Sequence, residues 1–369
     1  MKRILVRMTG THPGAKLGDF LMATPALAGL RLAHPDAEIT LLLGPPQTGP
    51  CFADPALFNN ILWDDAEKAD AGLRGSYRLL RQIQERRFDA FVALNSRSHL
   101  AWICRLANIP RRIGSTGKYH RALYTENVAQ DRGSPDRHEI EFNYDLMRPL
   151  GVSGTPGPMI FPVTPEAEAE AERLLCAARL DAEQPCIVLN PTYGGSSRAL
   201  PADCFAQAAR RLNCETGLPI LLVGGAQDAA ENACLARTIG VGVHDLTGKT
   251  SVAVLAALLR QSALHISIDT GTMHLAAAMK TPCLTVFPFM EHWEQRVRWR
   301  PWQTEQRLIG PRLRCSDCVP GKCRRTQNVC LDSIQPVEIA EAALELLIPP
   351  DCAKSADSKA DAQKTESAR

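Results

Sequence analysis

Residues 267–278 are Ser267-Ile-Asp-Thr-Gly-Thr-Met-His-Leu-Ala-Ala-Ala278. The apolar run 263–268 predicts a buried strand, Gly271 permits a tight turn, and the small and apolar residues that follow predict a helix. Free N–H groups at the start of that helix, together with its macrodipole, favour a bound anion. Asp269 and His274 can both face that anion, although a satisfied structural histidine is the alternative interpretation of His274.

The same alternation of strands and helices extends in both directions from this turn. In the second half, further strands are predicted at 186–190, 219–223 and 283–287, and helices at 165–180 and near 201–213, 228–239, 251–261 and 272–279. In the first half, strands are predicted at 3–7, 38–43 and 89–94, and helices at 19–33, 73–87 and near 98–107. Alternation of this kind is typical of parallel, doubly wound α/β sheets.

A stretch dense in Gly and Pro, residues 151–165, separates the two halves as an interdomain linker does. The sequence therefore predicts two facing Rossmann-like α/β domains with a cleft between them. Their expected extents are residues 1–160 and 161–348, followed by a disordered tail over 349–369, where Ala, Ser, Lys, Asp and Gln dominate.

Composition excludes several classes of protein. The apolar fraction of 45% and the charged fraction of 22% are those of a soluble globular protein. The net charge is only +2 and the Lys and Arg residues are scattered, which argues against a nucleic-acid-binding surface. Arg7 interrupts the apolar start of the chain, so a signal peptide is not predicted, and no stretch reaches the length of a membrane span. We expect a cytoplasmic location.

The loop after the first predicted strand ends in Lys16-Leu-Gly-Asp19. Ligands of open α/β sheets bind beyond the carboxyl ends of the strands, so this loop is expected to border the cleft. Asp19 has two interpretations from spacing alone. It is either the N-cap of the following helix or a general base that accepts a hydroxyl proton during a transfer reaction.

Two loops of the second half also follow predicted strands. In residues 190–201, backbone N–H groups and the hydroxyls of Thr192, Ser196 and Ser197 are suited to cradle a diphosphate, with Arg198 supplying positive charge. A mobile surface loop is the alternative, because Gly-Gly-Ser-Ser is common in linkers. The second loop, Val223-Gly-Gly-Ala-Gln-Asp228, suits a ribose or a base, with its acid accepting from sugar hydroxyls.

In their order along the chain, these motifs resemble those of glycosyltransferase family 9, the lipopolysaccharide heptosyltransferases and their relatives. The resemblance covers residues 3–348 and rests on segments 17–19, 23–27, 190–201, 224–226, 246–251 and 267–278. It implies the GT-B fold and an inverting transfer of heptose from ADP-heptose to the Kdo or heptose of the inner core. A DxD-type metal motif is not evident in the sequence, so no cofactor is expected for the reaction.

The resemblance also implies roles for individual residues. Asp19 matches the catalytic base. Arg198 falls where many members carry a Lys that contacts the donor phosphates, but its planar guanidinium makes bidentate contacts rather than those of a point charge. The residues matched to the donor site by motif are Thr250 for the adenine, Asp228 for the ribose, Thr270, Gly271 and His274 for the diphosphate, and Asp269 as the acid that closes the site. One departure is the loop 9–16, which is longer than is usual for the family.

Basic residues in the first half are candidates for binding an anionic glycolipid acceptor, such as a Kdo carboxylate or a core phosphate. The candidates are Arg111, Arg112, Lys118 and Arg121, with His120, Arg132, Arg137 and His138 nearby in the sequence. An ordinary solvated surface is the alternative. A glycolipid acceptor would bring peripheral contact with the inner membrane, for which no amphipathic helix in the sequence gives proof.

Four cysteines lie close together as Cys315-x₂-Cys318-x₄-Cys323-x₆-Cys330. The spacing is compatible with a structural zinc or iron ion, and reduced structural thiols are the alternative.

Four other functions are alternatives to a heptosyltransferase. A non-catalytic nucleotide-sugar-binding protein, or a transferase for another sugar or acceptor, keeps the same fold. A 2-epimerase needs acid/base carboxylates that cannot be placed, and an NAD dehydrogenase needs a Gly-x-Gly-x-x-Gly that does not follow the first strand.

Overall fold

The structure, a computed structural model, describes residues 1–8, 17–44, 54, 56–64, 72–94, 98–116, 121–192, 200–288, 294–313, 318–319, 322–323 and 329–347. These residues form two six-stranded parallel sheets flanked by helices, and a two-stranded antiparallel hairpin. The prediction of two parallel α/β sheets is confirmed. The chain divides into two compact units: unit 1 comprises Met1–Pro162 and Val297–Trp302, and unit 2 comprises Val163–Arg296 and the part of the chain after Trp302.

Unit 1 is built on the first sheet. Its strands are β1 (Arg3–Arg7), β2 (Glu38–Leu43), β3 (Asn60–Trp63), β4 (Ala90–Ala93), β5 (Arg111–Ser115) and β6 (Glu126–Val128). Its helices are α1 (Leu17–Ala33), α2 (Gly72–Arg86), α3 (Ser98–Leu106) and α4 (Glu139–Asp145), with 3-10 turns at Arg121–Leu123 and Arg148–Leu150. The strand order β3-β2-β1-β4-β5-β6 reverses between β1 and β4. Loops that follow these two strands are therefore where a ligand of this sheet is expected.

Unit 2 repeats the arrangement. Its strands are β7 (Ile187–Asn190), β8 (Ile220–Leu222), β9 (Val243–Asp245), β10 (Leu264–Ile268), β11 (Cys283–Val286) and β12 (Gln306–Ile309). Its helices up to the fifth strand are α5 (Pro165–Ala177), α6 (Ala202–Thr216), α7 (Ala229–Ile239), α8 (Val252–Arg260) and α9 (Gly271–Ala278). The order β12-β11-β10-β7-β8-β9 reverses between β7 and β10. Asn190, which ends β7, and the turn after Ile268, which ends β10, thus lie at the switch point of this sheet.

The side chains of each strand point alternately to the two faces of its sheet, and helices cover both faces. In unit 2, alternate residues of the central strands face α6 and the C-terminal helix α12 (Pro336–Leu347), and form one apolar core with them. Members of that core are Ile187, Leu189, Ile220, Leu222, Ile266, Phe205, Leu212, Ile339 and Ala343. The central strands are buried throughout, as parallel strands with helices on both faces must be.

A short segment after unit 2's fifth strand returns to unit 1. It begins in α10 (Arg296–Trp299) and is held by side chains that flank the start of α4. Arg298 Nε donates to the buried carboxylate of Glu139 at 2.8 Å, and His138 Nε2 donates to the carbonyl of Arg300 at 2.9 Å. The indole of Trp302 donates to the carbonyl of Gly157 at 2.9 Å. Nothing in the sequence indicates this return.

The remaining described elements are β13 (Cys318–Val319), β14 (Lys322–Cys323) and α11 (Val329–Asp332). The tail predicted over 349–369 lies outside the described residues. Among the helices that the structure describes, none combines the length and the apolar character needed to cross a bilayer.

Candidate functional site

The carboxyl end of β7 is tied to the beginning of α9. Asn190 Nδ2 donates to Thr272 Oγ1 at 2.9 Å, and the hydroxyls of Thr270 and Thr272 are 3.0 Å apart. His265, buried in β10, donates from Nδ1 to the carbonyl of Val188 at 3.1 Å, which leaves Nε2 to accept from the Thr272 hydroxyl at 3.3 Å. Burial lowers the pKa of His265 to about 4, so the imidazole is neutral and this pattern of donors and acceptors is fixed near neutral pH.

The turn that the sequence predicts to bind an anion lies at the start of α9. Thr270 is the N-cap, in an extended conformation and without a side-chain capping bond, and Gly271 is the first helical residue. His274 is buried, and its Nδ1 has no hydrogen-bond partner among the described residues. Burial lowers the pKa of His274 to about 4, with the nearby carboxylate of Asp269 opposing the shift. A neutral imidazole with one unpaired nitrogen is therefore placed one turn inside the helix.

Asp228, predicted to contact a ribose, holds the loop after β8. Its Oδ2 accepts from the Gly225 N–H at 2.8 Å and from Gln227 Nε2 at 3.2 Å. The Thr192 hydroxyl lies 3.1 Å from the same Oδ2 and 3.0 Å from Asn190 Oδ1, so it can donate to either acceptor but not to both at once. None of these bonds uses Oδ1 of Asp228. The loops after β7 and β8 are therefore joined through one carboxylate.

The loop before α8 packs on the glycines that follow β8. Gly248 has φ +72°, where a side chain would be strained, and its N–H donates to the carbonyl of Gly224 at 2.9 Å. A Cβ at Gly224 would lie 2.8 Å from Asn232 Nδ2, which itself donates to Thr247 Oγ1 at 2.9 Å. Thr250 follows Gly248 by two residues and directly precedes Ser251, the N-cap of α8. The predicted donor residues Thr192, Asp228, Thr250 and Asp269–His274 thus share one edge of the second sheet.

Only some of the predicted donor residues are described by the structure. Ser196, Ser197 and Arg198 lie outside the described residues. The turn around Gly271 and the Asp228 loop are both described, and each follows a strand at its carboxyl end.

Asp19 lies in the first turn of α1, directly beyond the loop that follows β1. The helix begins at Leu17, so Asp19 is a half-buried residue inside the first turn and not the N-cap that one interpretation of the sequence required. An acidic residue is favourable there because the helix amino end carries partial positive charge. The position is at the switch point of the first sheet, where a ligand of unit 1 is expected.

A buried polar cluster lies at the same edge of unit 1 and is not predicted from the sequence. Arg7 ends β1, Asp64 follows β3, and His99 lies in the first turn of α3. Asp64 Oδ2 is 4.0 Å from Arg7 Nη1 and 3.7 Å from His99 Nε2. Asp64 Oδ2 and His99 Nε2 are both buried without a hydrogen-bond partner among the described residues. Buried polar atoms are normally satisfied, so this cluster has capacity to bind water or hydroxyl groups.

The predicted acceptor residues Arg111 and Arg112 are not brought near Asp19. They begin β5, at the amino end of the strands, whereas Asp19 follows the carboxyl end of β1. Arg111 makes two hydrogen bonds of 2.8 Å to Glu126, which raise its pKa, and Arg112 Nε donates to the carbonyl of Leu123 at 2.8 Å. Both guanidinium groups therefore hold local structure.

The other basic candidates for acceptor binding differ in their surroundings. Arg121 is exposed in the 3-10 turn, and Lys118 and His120 lie outside the described residues. Arg132 and Arg137 place their guanidinium groups over the ring of Phe142, at 5.5 and 4.8 Å from its centroid. Arg137 also pairs with Asp145 at 2.7 Å. Arg132 and Arg137 therefore have structural partners around α4.

The cysteine cluster is described only in part. The backbones of Cys318 and Cys323 pair across β13 and β14, and Cys330 is buried in α11, while Cys315 lies outside the described residues. No group of three metal-ligating side chains occurs within the described portion of the chain.

The chain is similar to known proteins along most of its length. The family model for glycosyltransferase family 9 (heptosyltransferase) matches residues 76–328. Lipopolysaccharide heptosyltransferase 3 of Escherichia coli K12 is 26% identical over 355 residues, which cover 93% of this chain and 98% of that protein. Among solved structures, a glycosyl transferase of family 9 from Veillonella parvula has 20% identity and a TM-score of 0.74, with 94% of this chain and 97% of that chain covered. The E. coli ADP-heptose lps heptosyltransferase II has 21% identity and a TM-score of 0.67, with coverage of 94% and 98%.

Proposed function

The chain belongs to glycosyltransferase family 9 and is thus a glycosyltransferase, and from this premise we propose that it transfers heptose from ADP-heptose to a lipopolysaccharide inner-core acceptor, with inversion at the anomeric carbon. The names of the relatives support this choice of sugar, donor nucleotide and acceptor. The observation that carries the proposal is the turn at 269–274, where a helix amino end and a buried neutral His274 meet at the switch point of the second sheet.

In this proposal, unit 2 binds the nucleotide and stabilises it as the leaving group. When the bond between the anomeric carbon and the phosphate oxygen breaks, negative charge grows on the diphosphate. The N–H groups in the first turn of α9 and its macrodipole stabilise that charge, and neutral His274 donates one hydrogen bond. Arg198 supplies a full positive charge, and Ser196 and Ser197 donate hydroxyl hydrogen bonds to the phosphates. Thr192 is left out of the phosphate site because its hydroxyl hydrogen is used by Asn190 or Asp228.

Recognition of the nucleoside is assigned to the loops that pack beside this turn. Asp228 accepts a ribose hydroxyl through the carboxylate oxygen that the Gly225 and Thr192 bonds do not use. The backbone at Thr250, fixed between Gly248 and the N-cap Ser251, meets the adenine. Asp269 closes the donor site beside His274.

In unit 1, Asp19 is proposed as the general base. The acceptor hydroxyl gives its proton to the Asp19 carboxylate while its oxygen forms the bond to the anomeric carbon, and the diphosphate departs with the electrons of the broken bond. The half-buried position of Asp19 in the first turn of α1 supports this role, because it lies at the edge of the sheet where a ligand of unit 1 is expected.

For the acceptor, we assign sugar hydroxyls to the cluster of Asp64 and His99, whose buried polar atoms accept and donate hydrogen bonds at the edge that also carries Asp19. Arg111 and Arg112 are left out of the proposed site because they lie at the opposite edge of the sheet. Lys118 and Arg121 remain predictions for an anionic group of the acceptor.

The four cysteines are a separate proposal. Thiolates at Cys315, Cys318, Cys323 and Cys330 would hold a structural zinc or iron ion. The backbones of Cys318 and Cys323 pair with each other across the hairpin. Elemental analysis of the purified protein, with Cys315→Ser and Cys323→Ser as controls, tests it. Metal content that is absent, or unchanged in both variants, contradicts the proposal.

A donor screen tests the proposed reaction. The protein is incubated with ADP-heptose and with other nucleotide sugars, each with a delipidated inner-core oligosaccharide, and the product linkage is determined by NMR. We expect turnover with ADP-heptose and an anomeric configuration opposite to that of the donor. Turnover with another sugar alone refutes the donor assignment, retained configuration refutes inversion, and binding of the donor without turnover refutes the transfer reaction.

A further inference from the structure

Large apolar side chains are exposed on two helices of unit 1. Leu73 and Tyr77 of α2 are 90% and 63% exposed, and Trp102 and Leu106 of α3 are 54% and 56% exposed. These four are among ten exposed large apolar side chains in the described part of the chain. Each pair is spaced by four residues, so each forms a stripe along its helix.

The two helices are neighbours that cover the same face of the first sheet. Gln84 Nε2 of α2 donates to the carbonyl of Leu106 at 3.4 Å, and the buried stripes of both helices belong to one apolar core. The residues of those stripes are Leu79, Ile83, Leu100, Ala101, Ile103 and Cys104. Each helix has therefore already buried one apolar stripe against the sheet, and the exposed side chains form a second apolar set on the outer side.

Positive charge accompanies the exposed apolar residues. The arginines on these helices are Arg74, Arg78, Arg81, Arg86 and Arg105. Glu85 is their single acidic residue, and its carboxylate pairs with Arg81 at 3.8 Å. The whole chain has a net charge of only +2, so the positive charge of these two helices is concentrated relative to the rest of the molecule.

We propose that this surface, the α2–α3 face, docks on an anionic phospholipid bilayer. It is defined by Leu73, Tyr77, Trp102 and Leu106 together with the arginines of both helices. Guanidinium groups are attracted to anionic headgroups, Tyr and Trp favour the boundary between headgroups and acyl chains, and leucines insert into that boundary. The inference rests on the proposed function for its purpose, because a glycolipid acceptor lies in such a bilayer.

A second copy of the chain is a less suitable partner. In a symmetric dimer the same patch of each copy meets itself, so the arginines of one face would oppose those of the other. An anionic bilayer supplies opposite charge to the same groups and an apolar layer for the four exposed side chains.

Vesicle sedimentation with the full chain tests the proposal without any acceptor present. Vesicles of phosphatidylethanolamine and phosphatidylglycerol should sediment the protein at low salt, and binding should weaken as salt rises. Binding to vesicles of phosphatidylcholine alone should be weaker by a factor of about ten or more, because these headgroups carry no net charge. Equal binding to both kinds of vesicle, or binding to neither, overturns the proposal.

Two variants locate the contact. Leu73→Ser combined with Trp102→Ser removes apolar anchors, and Arg74→Glu combined with Arg81→Glu reverses charge on α2. Each should lower vesicle binding about tenfold or more. The matched controls are Leu32→Ser, an exposed leucine on α1, and Arg173→Glu, an exposed arginine on α5. Controls that lose as much binding as the variants contradict the location, as does a self-association of the wild type that the variants abolish.

Activity on two forms of the acceptor separates this inference from the proposed function. The variants should keep wild-type turnover on a delipidated acceptor in solution, and should lose turnover on the same acceptor embedded in anionic vesicles. Unchanged turnover on both forms overturns the docking proposal while leaving the transferase intact. Absence of turnover by the wild type on both forms refutes the proposed function, and the vesicle sedimentation above still decides the docking.

Discussion

The amide of Asn190 donates to the hydroxyl of Thr272 at 2.9 Å, and so joins the carboxyl end of β7 to the first turn of α9. The same hydroxyl donates to Nε2 of the buried His265. These bonds hold the two strands at the switch point of the second sheet against the turn that we assign to the diphosphate.

Replacing the hydroxyl of Thr272 should damage both stability and donor binding. In Thr272→Val, the side chains of Asn190 and His265 lose a shared partner, which costs about 1–3 kcal/mol in the free energy of unfolding. The KM for the donor should rise more than kcat falls, because the turn binds the donor in the ground state as well as in the transition state. Urea unfolding and steady-state kinetics measure the two effects. Thr238→Val, an exposed threonine that bonds only within α7, is the matched control.

A change in kcat with an unaltered KM for the donor would show that Thr272 does not shape the donor site. An equal loss of stability in Thr238→Val would show that the effect is not specific to this network.

Protonation of His274 should be coupled to nucleotide binding. Its pKa is about 4 in the free protein, and a diphosphate beside it favours the imidazolium, so the pKa rises in the complex. The complex then takes up a proton that the free protein does not, and affinity for ADP increases as the pH falls toward the pKa of the bound state. The comparison is made with His274→Gln, in which this contribution is removed while the titration of ADP itself is unchanged. Identical pH dependence of affinity in both proteins refutes the contact.

Acid should destabilise the protein through its buried histidines. His265 and His274 both have a pKa of about 4 in the folded state, below the ordinary value of about 6.5. Between these values the unfolded chain binds protons that the folded chain does not, so stability is full above about pH 6.5 and falls as the pH drops. The expected slope is about 1.4 kcal/mol per pH unit for each histidine, measured by urea unfolding. Stability that stays constant from about pH 6.5 to pH 5 contradicts their burial as neutral groups.

His99→Gln tests the assignment of the acceptor. Gln keeps polar atoms but does not reproduce the imidazole geometry beside Asp64, so the KM for the acceptor should rise several-fold while the KM for the donor stays unchanged. His34→Gln, another half-buried histidine of unit 1, is the control because its imidazole bonds only the carbonyl of Leu150 among the contacts described. An effect of His99→Gln on the donor KM alone would remove the cluster from the acceptor site.

The parts of the fold that the sequence predicts are its central strands. β1, β2, β4, β7, β8, β10 and β11 coincide with the predicted strands, because strands buried on both faces carry continuous apolar runs. The strands that were not predicted include β3, β6, β9 and β12, which are the outermost strands of the two sheets. Their residues are partly exposed and polar, as in Val243-His-Asp245, so no apolar run marks them.

The sequence predicts candidate site residues where a loop follows a strand and carries a motif. Gly271, His274 and Asp228 are predicted in that way, and they stay predictions for the donor site. Nothing in the sequence indicates that Asp228 also bonds to Thr192. Asp64 and His99 belong to no motif and come together only through the folding of the sheet. Arg111 is predicted as an acceptor residue from its charge alone. The charge of a residue does not reveal which edge of the sheet it occupies, and Arg111 lies at the amino end of β5.

The most direct test of the account is the effect of Asp19→Asn on transfer and on ADP binding, measured side by side. We predict that turnover falls by roughly 10²–10⁴-fold, the usual contribution of a general base, while the affinity for ADP stays within a factor of about two. Asp36→Asn, an exposed acid just beyond α1, should leave both unchanged. Turnover close to that of the wild type, or a loss of ADP affinity as large as the loss of turnover, would contradict Asp19 as the base.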